Sequence, residues 1–344
     1  MRPRFHPRLI NGPFEDPGLY IPFLFENRAI IFDLGDTLPL STRDLLKISH
    51  AFITHTHVDH FIGFDRILRI LLGREKNLHL YGPPGFFKNA EGKLAAYSWN
   101  LIKNYPYRLE LQLTEVHRDY LLTREYLCQN EFIPAGKAAR KPFKDIIYEE
   151  PAFKISVAIL DHSIPCLGLA IKERFHVNIN KDALAALGLQ TGPWLTDFKQ
   201  ALYDGKDSQS EFEFKSETGQ IQRFRLGELT DRIAMLTSGQ KIAYIADVAY
   251  SPENQEKIIS LAKDSDHLFI EAAFLEVHKN IAAEKYHLTA RQAGTLAAKS
   301  GAKQFTIFHF SPRYVGQESL LYQEATEAYA LNVARAGGSH MLRY

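Results

Sequence analysis

Four potential metal ligands crowd into six residues at His55-Thr56-His57-Val58-Asp59-His60. Imidazole nitrogens mixed with carboxylate oxygens suit zinc and similar divalent ions. His55 and His57 can serve one ion while Asp59 and His60 turn toward a second, and two such ions side by side would clamp and activate a water for hydrolysis. The motif alone is too small to hold both. Elsewhere in the chain His162, Asp247 and His309 offer the same donor types. We assign His55, His57 and His162 to one ion and Asp59, His60 and His309 to the other. Asp247 bridges, because a carboxylate has two oxygens and a neutral imidazole cannot span two metals.

Short apolar runs repeatedly end on a residue of these donor types. Ala29–Phe32 ends at Asp33, Ala51–Thr54 at His55, Ile155–Leu160 at Asp161-His162, Ile242–Ala246 at Asp247, Leu268–Ile270 at Glu271 and Phe305–Phe308 at His309. Runs of this length and composition predict buried strands. Groups placed just beyond strand ends are held by a rigid scaffold, so the pattern predicts one constellation along the edge of a sheet. Asp33, at such an end, is expected to orient a metal-binding histidine. Helices are expected between the strands. Phe61, Phe64, Ile67, Leu68 and Leu71 follow helical spacing. Ser251-Pro252 reads as an N-cap with proline in the first turn, Thr289-Ala290-Arg291-Gln292 as a capping box, and Gly301 as a helix stop. Strands alternating with helices indicate an α/β fold.

The remaining composition bounds the function. With 344 residues, 45% of them hydrophobic, the chain can bury a sizeable core. A net charge of +1 does not announce a nucleic-acid binder, so any polyanion site must be a local patch. Candidates for such a patch are Lys137, Arg140, Lys141 and Lys144, in what reads as an exposed loop, and the N-terminal Arg2, Arg4 and Arg8. The only cysteines, Cys128 and Cys166, have neither zinc-finger spacing nor a disulfide framework, and a cytoplasmic setting is expected. No apolar run of signal-peptide or membrane-spanning type is seen, so no membrane partner is expected. From about residue 172 to 240 there is no ligand-type cluster. Within that span, Tyr203–Gln220 is polar and reads as a protruding or mobile insertion.

The order of these motifs resembles that of the metallo-β-lactamase superfamily, and within it the ribonuclease Z family, endonucleases that trim the 3′ trailer of precursor tRNA. Leu160-Asp161-His162-Ser163-Ile164-Pro165 looks like the family's third motif, and Phe269-Ile270-Glu271-Ala272-Ala273-Phe274 resembles its His-Glu-Ala-Thr-Phe segment, with Ile270 in place of the histidine. His287-Leu288-Thr289 is similar to the His-Ser-Thr segment, and His309-Phe310-Ser311-Pro312-Arg313-Tyr314 to the closing motif. Leu187–Pro193 looks like the Gly-Pro part of the family's exosite arm, which grips the tRNA elbow. The resemblance spans about residues 29 to 314. It implies a metallo-β-lactamase fold, a four-layer αββα sandwich of two mixed sheets flanked by helices. It implies one domain over residues 1–344 with an arm-like insertion at about 172–240, working as a homodimer. His287 and Glu271 would together donate a proton to the leaving 3′ oxygen, Asp59 would handle the proton of the attacking water, and Arg313 and Ser311 would hold a phosphate oxygen. The helix starting at Thr289 would aim its N-terminus toward the phosphate.

The expected activity is therefore that of a phosphodiester hydrolase with two divalent ions, zinc first and manganese or iron as alternatives, acting on precursor tRNA or another RNA 3′ end. Two other activities fit the ligands: hydrolysis of a small cyclic-nucleotide-like ester, or of a lactone or thioester. The insertion favours a large substrate over the first, and Arg313 with His287 favours a phosphodiester over the second.

Overall fold

Along β-strands that are buried on both faces, apolar residues run continuously instead of alternating with polar ones. The central strands here do so: Ala29, Ile30, Ile31 and Phe32 are all fully buried. In the computed structural model, which describes residues 5–24, 26–134, 136–216 and 219–338, these runs form the middle of two sheets. Arg2, Arg4 and Glu217 lie outside the described residues.

The strands, in chain order, are β1 (Arg8–Leu9), β2 (Leu19–Pro22), β3 (Ala29–Phe32), β4 (Ile48–Phe52), β5 (Lys76–Gly82), β6 (Leu109–Val116), β7 (Tyr120–Leu127), β8 (Ala139–Pro142), β9 (Ile146–Glu149), β10 (Phe153–Asp161), β11 (Pro165–Glu173), β12 (Phe175–Ile179), β13 (Glu211–Lys215), β14 (Ile221–Arg225), β15 (Ala234–Ser238), β16 (Lys241–Ile245), β17 (His267–Glu271) and β18 (Phe305–Phe308). The first sheet runs β1 to β8 in sequence order, and the second runs β18-β17-β16-β11-β10-β9. In the first, β3 to β6 are parallel and both flanks antiparallel. In the second, β16, β17 and β18 are parallel. Parallel strands put all their C-terminal ends at one edge, so the residues after β3 and β4, and those after β16, β17 and β18, can converge.

Chain contacts divide the molecule into two compact units. Among the described residues the larger holds 5–147, 156–170 and 241–338. In it, helices α1 (Thr42–Lys47), α3 (Phe64–Leu71) and α4 (Phe86–Ala95) share one apolar cluster with Ala29, Ile31 and Ala51 of the first sheet. Helices α8 (Pro252–Ala262), α10 (Ala290–Lys299) and α11 (Glu318–Gly338) share another with Ala243, Ile245, Leu268 and Ile307 of the second. The opposite faces of the sheets meet through Phe32 and Tyr244, whose ring centroids are 5.9 Å apart, with Phe52 and Phe308 beside them. The order helix, sheet, sheet, helix is the expected αββα sandwich.

Local details follow sequence chemistry. Ser251 caps α8 with Pro252 in its first turn, Thr289 and Gln292 form a complete capping box, and Gly301 takes the left-handed backbone just after α10. The apolar stripe after the metal motif is broken into the short α2 (Val58–Phe61) and α3 by Ile62-Gly63. Gly63 is needed there, because a Cβ would sit 2.2 Å from the carbonyl oxygen of Gly35.

The smaller unit holds Tyr148–Ile155 and Ile171–Gln240. Its helices α5 (Lys181–Ala186), α6 (Trp194–Tyr203) and α7 (Leu226–Ile233) bury Leu184, Phe198, Leu226, Leu229 and Ile233. Two expectations change. Much of the polar stretch Tyr203–Gln220 is ordered: β13 pairs with β14 as a hairpin, and Phe214 stacks on Trp194 at 3.9 Å. Alternate phenylalanines at 212 and 214 supply an apolar face that the polar average concealed. The basic segment Lys137–Lys144 is not a loop throughout, since Ala139–Pro142 forms edge strand β8. Pro142 is tolerated because it ends an edge strand.

Candidate metal centre

Asp33 lies one residue beyond β3 in a left-handed backbone conformation (φ 58°), costly for a residue with a side chain and found where surroundings enforce it. His309, Ser163 next to His162, and Tyr286 next to His287 share this conformation, with φ of 62°, 59° and 60°. The turn places the Asp33 carboxylate among four donors. Thr54 N donates at 2.7 Å, Thr54 Oγ1 at 3.0 Å, Tyr244 Oη at 3.0 Å from the opposite sheet, and His60 Nδ1 at 2.9 Å. Asp33 thereby holds the His60 ring with Nε2 pointing away. His162 is oriented likewise, its Nδ1 donating to the carbonyl oxygen of Tyr286 at 2.8 Å. His55 Nδ1 lies 3.1 Å from Thr54 Oγ1.

Those free ring nitrogens converge on Asp247, two residues beyond β16. Asp247 Oδ2 is 3.7 Å from His55 Nε2 and 3.5 Å from His162 Nε2, whereas Oδ1 is 3.4 Å from His60 Nε2 and 2.9 Å from His309 Nδ1. One carboxylate thus faces one group of histidines with each oxygen. Donor atoms of His55, His57, His162 and Asp247 all lie within 4.8 Å of one another, as do those of Asp59, His60 and His309. His309 Nε2 is 3.1 Å from Asp59 Oδ2.

The donor atoms test whether a cation fits. Buried polar atoms are normally hydrogen-bonded. His55 Nε2 and His60 Nε2 are buried without a hydrogen-bond partner, while Asp247 Oδ1 and His309 Nδ1 face each other at 2.9 Å. Buried donor atoms gathered at one point, costly if left alone, are what a site for divalent cations requires. Electrostatics agree. Burial opposes charge on His60 and His309, yet Asp247 overrides it and raises both, His309 to about 10. Burial, with His60 close by, pushes His55 down to about 2. Asp247, although buried, is held well below the usual carboxylate range by His309 and His60.

Glu271, the last residue of β17, is fully buried and accepts from Val248 N at 2.8 Å. Its Oε2 is 3.1 Å from His287 Nδ1. Burial opposes protonation of His287, but Glu271 outweighs it and raises the pKa above the ordinary value. His287 also lies with Asp247 and His309 in a third group of donors within 4.8 Å of one another. Arg313 is exposed and sits over the Phe274 ring at 5.7 Å, and that ring is 6.2 Å from His287. Ser311 is on the turn just before Arg313, its N–H bonded to the carbonyl oxygen of Ala273.

At the α10 N-terminus, expected to aim its dipole toward the phosphate, no amide of the first turn is left to donate directly. Its first amides are all used within the chain: Ala290 N by the Phe274 carbonyl, Arg291 N by Glu324 Oε1, and Gln292 N by Thr289 Oγ1. Thr54 and the Tyr286 carbonyl, which bond the histidines, and Tyr244, which bonds Asp33, escaped sequence reasoning. Thr54 adjoins the motif and could have been flagged, whereas the Tyr244 hydroxyl arrives from 211 residues away, on the other sheet.

No family model matches the chain. It is 29% identical to a protein named Ribonuclease Z from Deinococcus radiodurans, over 83% of each chain. It is 26% identical to the Ribonuclease Z of Bacillus subtilis, over 91% of this chain and 89% of that one, and 27% identical to that of Nanoarchaeum equitans, over 87% and 79%. Among solved structures, the metallo-beta-lactamase fold protein YhfI of Bacillus subtilis superposes with a TM-score of 0.53 at 13% identity, covering 94% of both chains. A long form RNase Z from yeast gives 0.50 at 14% identity, covering 90% of this chain and 38% of that one. At these identities the structural likeness concerns the fold.

Proposed function

We propose that this chain, a homologue of ribonuclease Z with the metallo-β-lactamase fold, is a metal-dependent endoribonuclease that trims the 3′ trailer of precursor tRNA. The observation that carries the reading is the Asp247 carboxylate, shared by two groups of histidines and adjoined by the His287–Glu271 pair. His55, His57 and His162 would hold one ion and Asp59, His60 and His309 the other, with Asp247 common to both. The imidazole and carboxylate donors suit zinc. When bound, the two cations supply Lewis-acid activation of a water and neutralise charge on the phosphate.

The chain's own groups perform the rest. Asp59, half-buried beside His309, takes the proton of the attacking water. Because Glu271 holds His287 through Nδ1, Nε2 is left to deliver a proton to the 3′ oxygen as its bond to phosphorus breaks. Arg313 binds a phosphate oxygen through its guanidinium, assisted by the Ser311 hydroxyl. The Ile171–Gln240 unit serves as the arm that grips the RNA body, in a homodimer. The two free, buried cysteines suit a reducing cytoplasm.

The test is to give the metal-loaded protein precursor tRNA and, separately, a small chromogenic phosphodiester. Specific release of the trailer is expected; cleavage of the small ester alone would sink the tRNA reading in favour of a small-ester hydrolase.

A further inference from the structure

The basic edge strand β8 is not used by the chemistry above, and its position gives it a consequence. Strands β3 to β6 run parallel, with the metal motif beyond the C-terminal end of β4. Both the β6–β7 and β7–β8 pairings are antiparallel, so β8 runs in the same direction as β4. Pro142 pairs with Tyr120, at the end of the sheet that carries the metal motif. Four strand spacings separate β4 from β8, about 19 Å at ~4.8 Å each.

Lys137, Arg140, Lys141 and Lys144 are all exposed there, and among the described residues none pairs with a carboxylate. Arg140 is held by rings instead. Its guanidinium carbon lies 3.8 Å from the centroid of Tyr120, which in turn stacks on His117 at 4.4 Å with 12° between the planes. This arrangement pre-orients a planar cation and leaves its hydrogen-bond donors uncommitted, as phosphate recognition requires. Lysine and proline on an edge strand also discourage edge-to-edge association. That explains Pro142, but it does not call for a stacked arginine. Asp145 follows Lys144 in sequence and Asp119, whose carbonyl oxygen accepts from Phe143 N at 3.1 Å, lies beside the strip, so its positive charge is local.

We propose that the β8 edge is a phosphate-binding strip for single-stranded RNA flanking the scissile bond, with Arg140 as its oriented anchor. This rests on the ribonuclease reading. The test neutralises Lys137, Arg140, Lys141 and Lys144 together to Gln. Binding is measured by fluorescence anisotropy of a labelled single-stranded oligoribonucleotide across a salt series. The quadruple variant should bind more weakly, with a slope of log affinity against log salt shallower by roughly 2 to 3, since each lost phosphate contact on a single strand removes ~0.7. Hydrolysis of a small chromogenic phosphodiester should be unchanged, because the strip lies away from the metal ligands. Should the quadruple change impair folding, R140Q and K144Q read singly should each flatten the slope, whereas R140K should keep the slope, which counts charge, yet bind more weakly than wild type because the planar stacked fork is lost. Equal slopes in wild type and variants, or no RNA binding by the wild type, would overturn the strip. A wild type that binds RNA through these residues yet cleaves none would leave the strip standing and remove the processing assignment.

Discussion

His287 occupies a position where two roles compete, since its donor atoms lie near both Glu271 and the Asp247–His309 pair. If it delivers a proton, as proposed, His287→Ala should retain both metals by elemental analysis while turnover falls about 100-fold or more, the usual weight of a general acid. Loss of metal would make His287 a ligand instead. The other histidines lead to a second expectation. With His60 and His309 raised by Asp247, the metal-free site carries protons at neutral pH where cations would sit. A nitrogen must lose its proton to coordinate, so metal binding should release protons, and affinity should climb as pH rises toward the His309 value of about 10. Titration calorimetry in two buffers of different ionisation enthalpy would reveal the release; identical heats in both would contradict it.

At the scale of elements, the metal motif depends on how closely α3 and the loop after β3 approach one another. Gly63→Ala would place a methyl 2.2 Å from the Gly35 carbonyl oxygen, with the Leu34 carbonyl oxygen and a Thr37 methyl also close. Backbone cannot yield as a flexible side chain can, so a loss of about 1–3 kcal/mol in denaturant unfolding is expected. Gly92, inside α4, makes the contrast: nothing lies within 4 Å of its would-be Cβ. Gly92→Ala should therefore gain roughly 0.5–1 kcal/mol through helix propensity. Capping was legible at this scale because it is local, as Ser251 and Thr289 show. That the first amides of α10 are engaged was not legible, because Glu324, which takes the Arg291 amide, lies 33 residues downstream.

For the molecule as a whole, the two compact units predict separable effects. Trp194 is the stacking partner of Phe214 in the smaller unit. Trp194→Ala should destabilise that unit by about 3–5 kcal/mol, the range for deleting a buried aromatic. If the unit grips RNA, precursor tRNA cleavage should drop at least tenfold (roughly 1.4 kcal/mol in binding) while small-ester hydrolysis persists. Parallel loss of both activities would show that the smaller unit supports the catalytic sandwich itself.

The chemistry of this protein was already written in local order. Ligand types, their spacing from His55 to His60, and the habit of ending apolar runs on Asp, Glu or His pointed to a strand-end site on an α/β scaffold and to metal-assisted hydrolysis as the expected chemistry. These are consequences of strand periodicity and donor chemistry, each legible in its own short stretch of chain. Tertiary structure decided which oxygen of Asp247 faces which histidines, that Tyr244 reaches across to Asp33, that α10 has no first-turn amide left for phosphate, and that the basic segment is an edge strand at the end of its sheet where the His55–His60 motif lies. Each of these depends on groups distant in sequence being brought within a few ångströms, and that information exists only once the two sheets have packed.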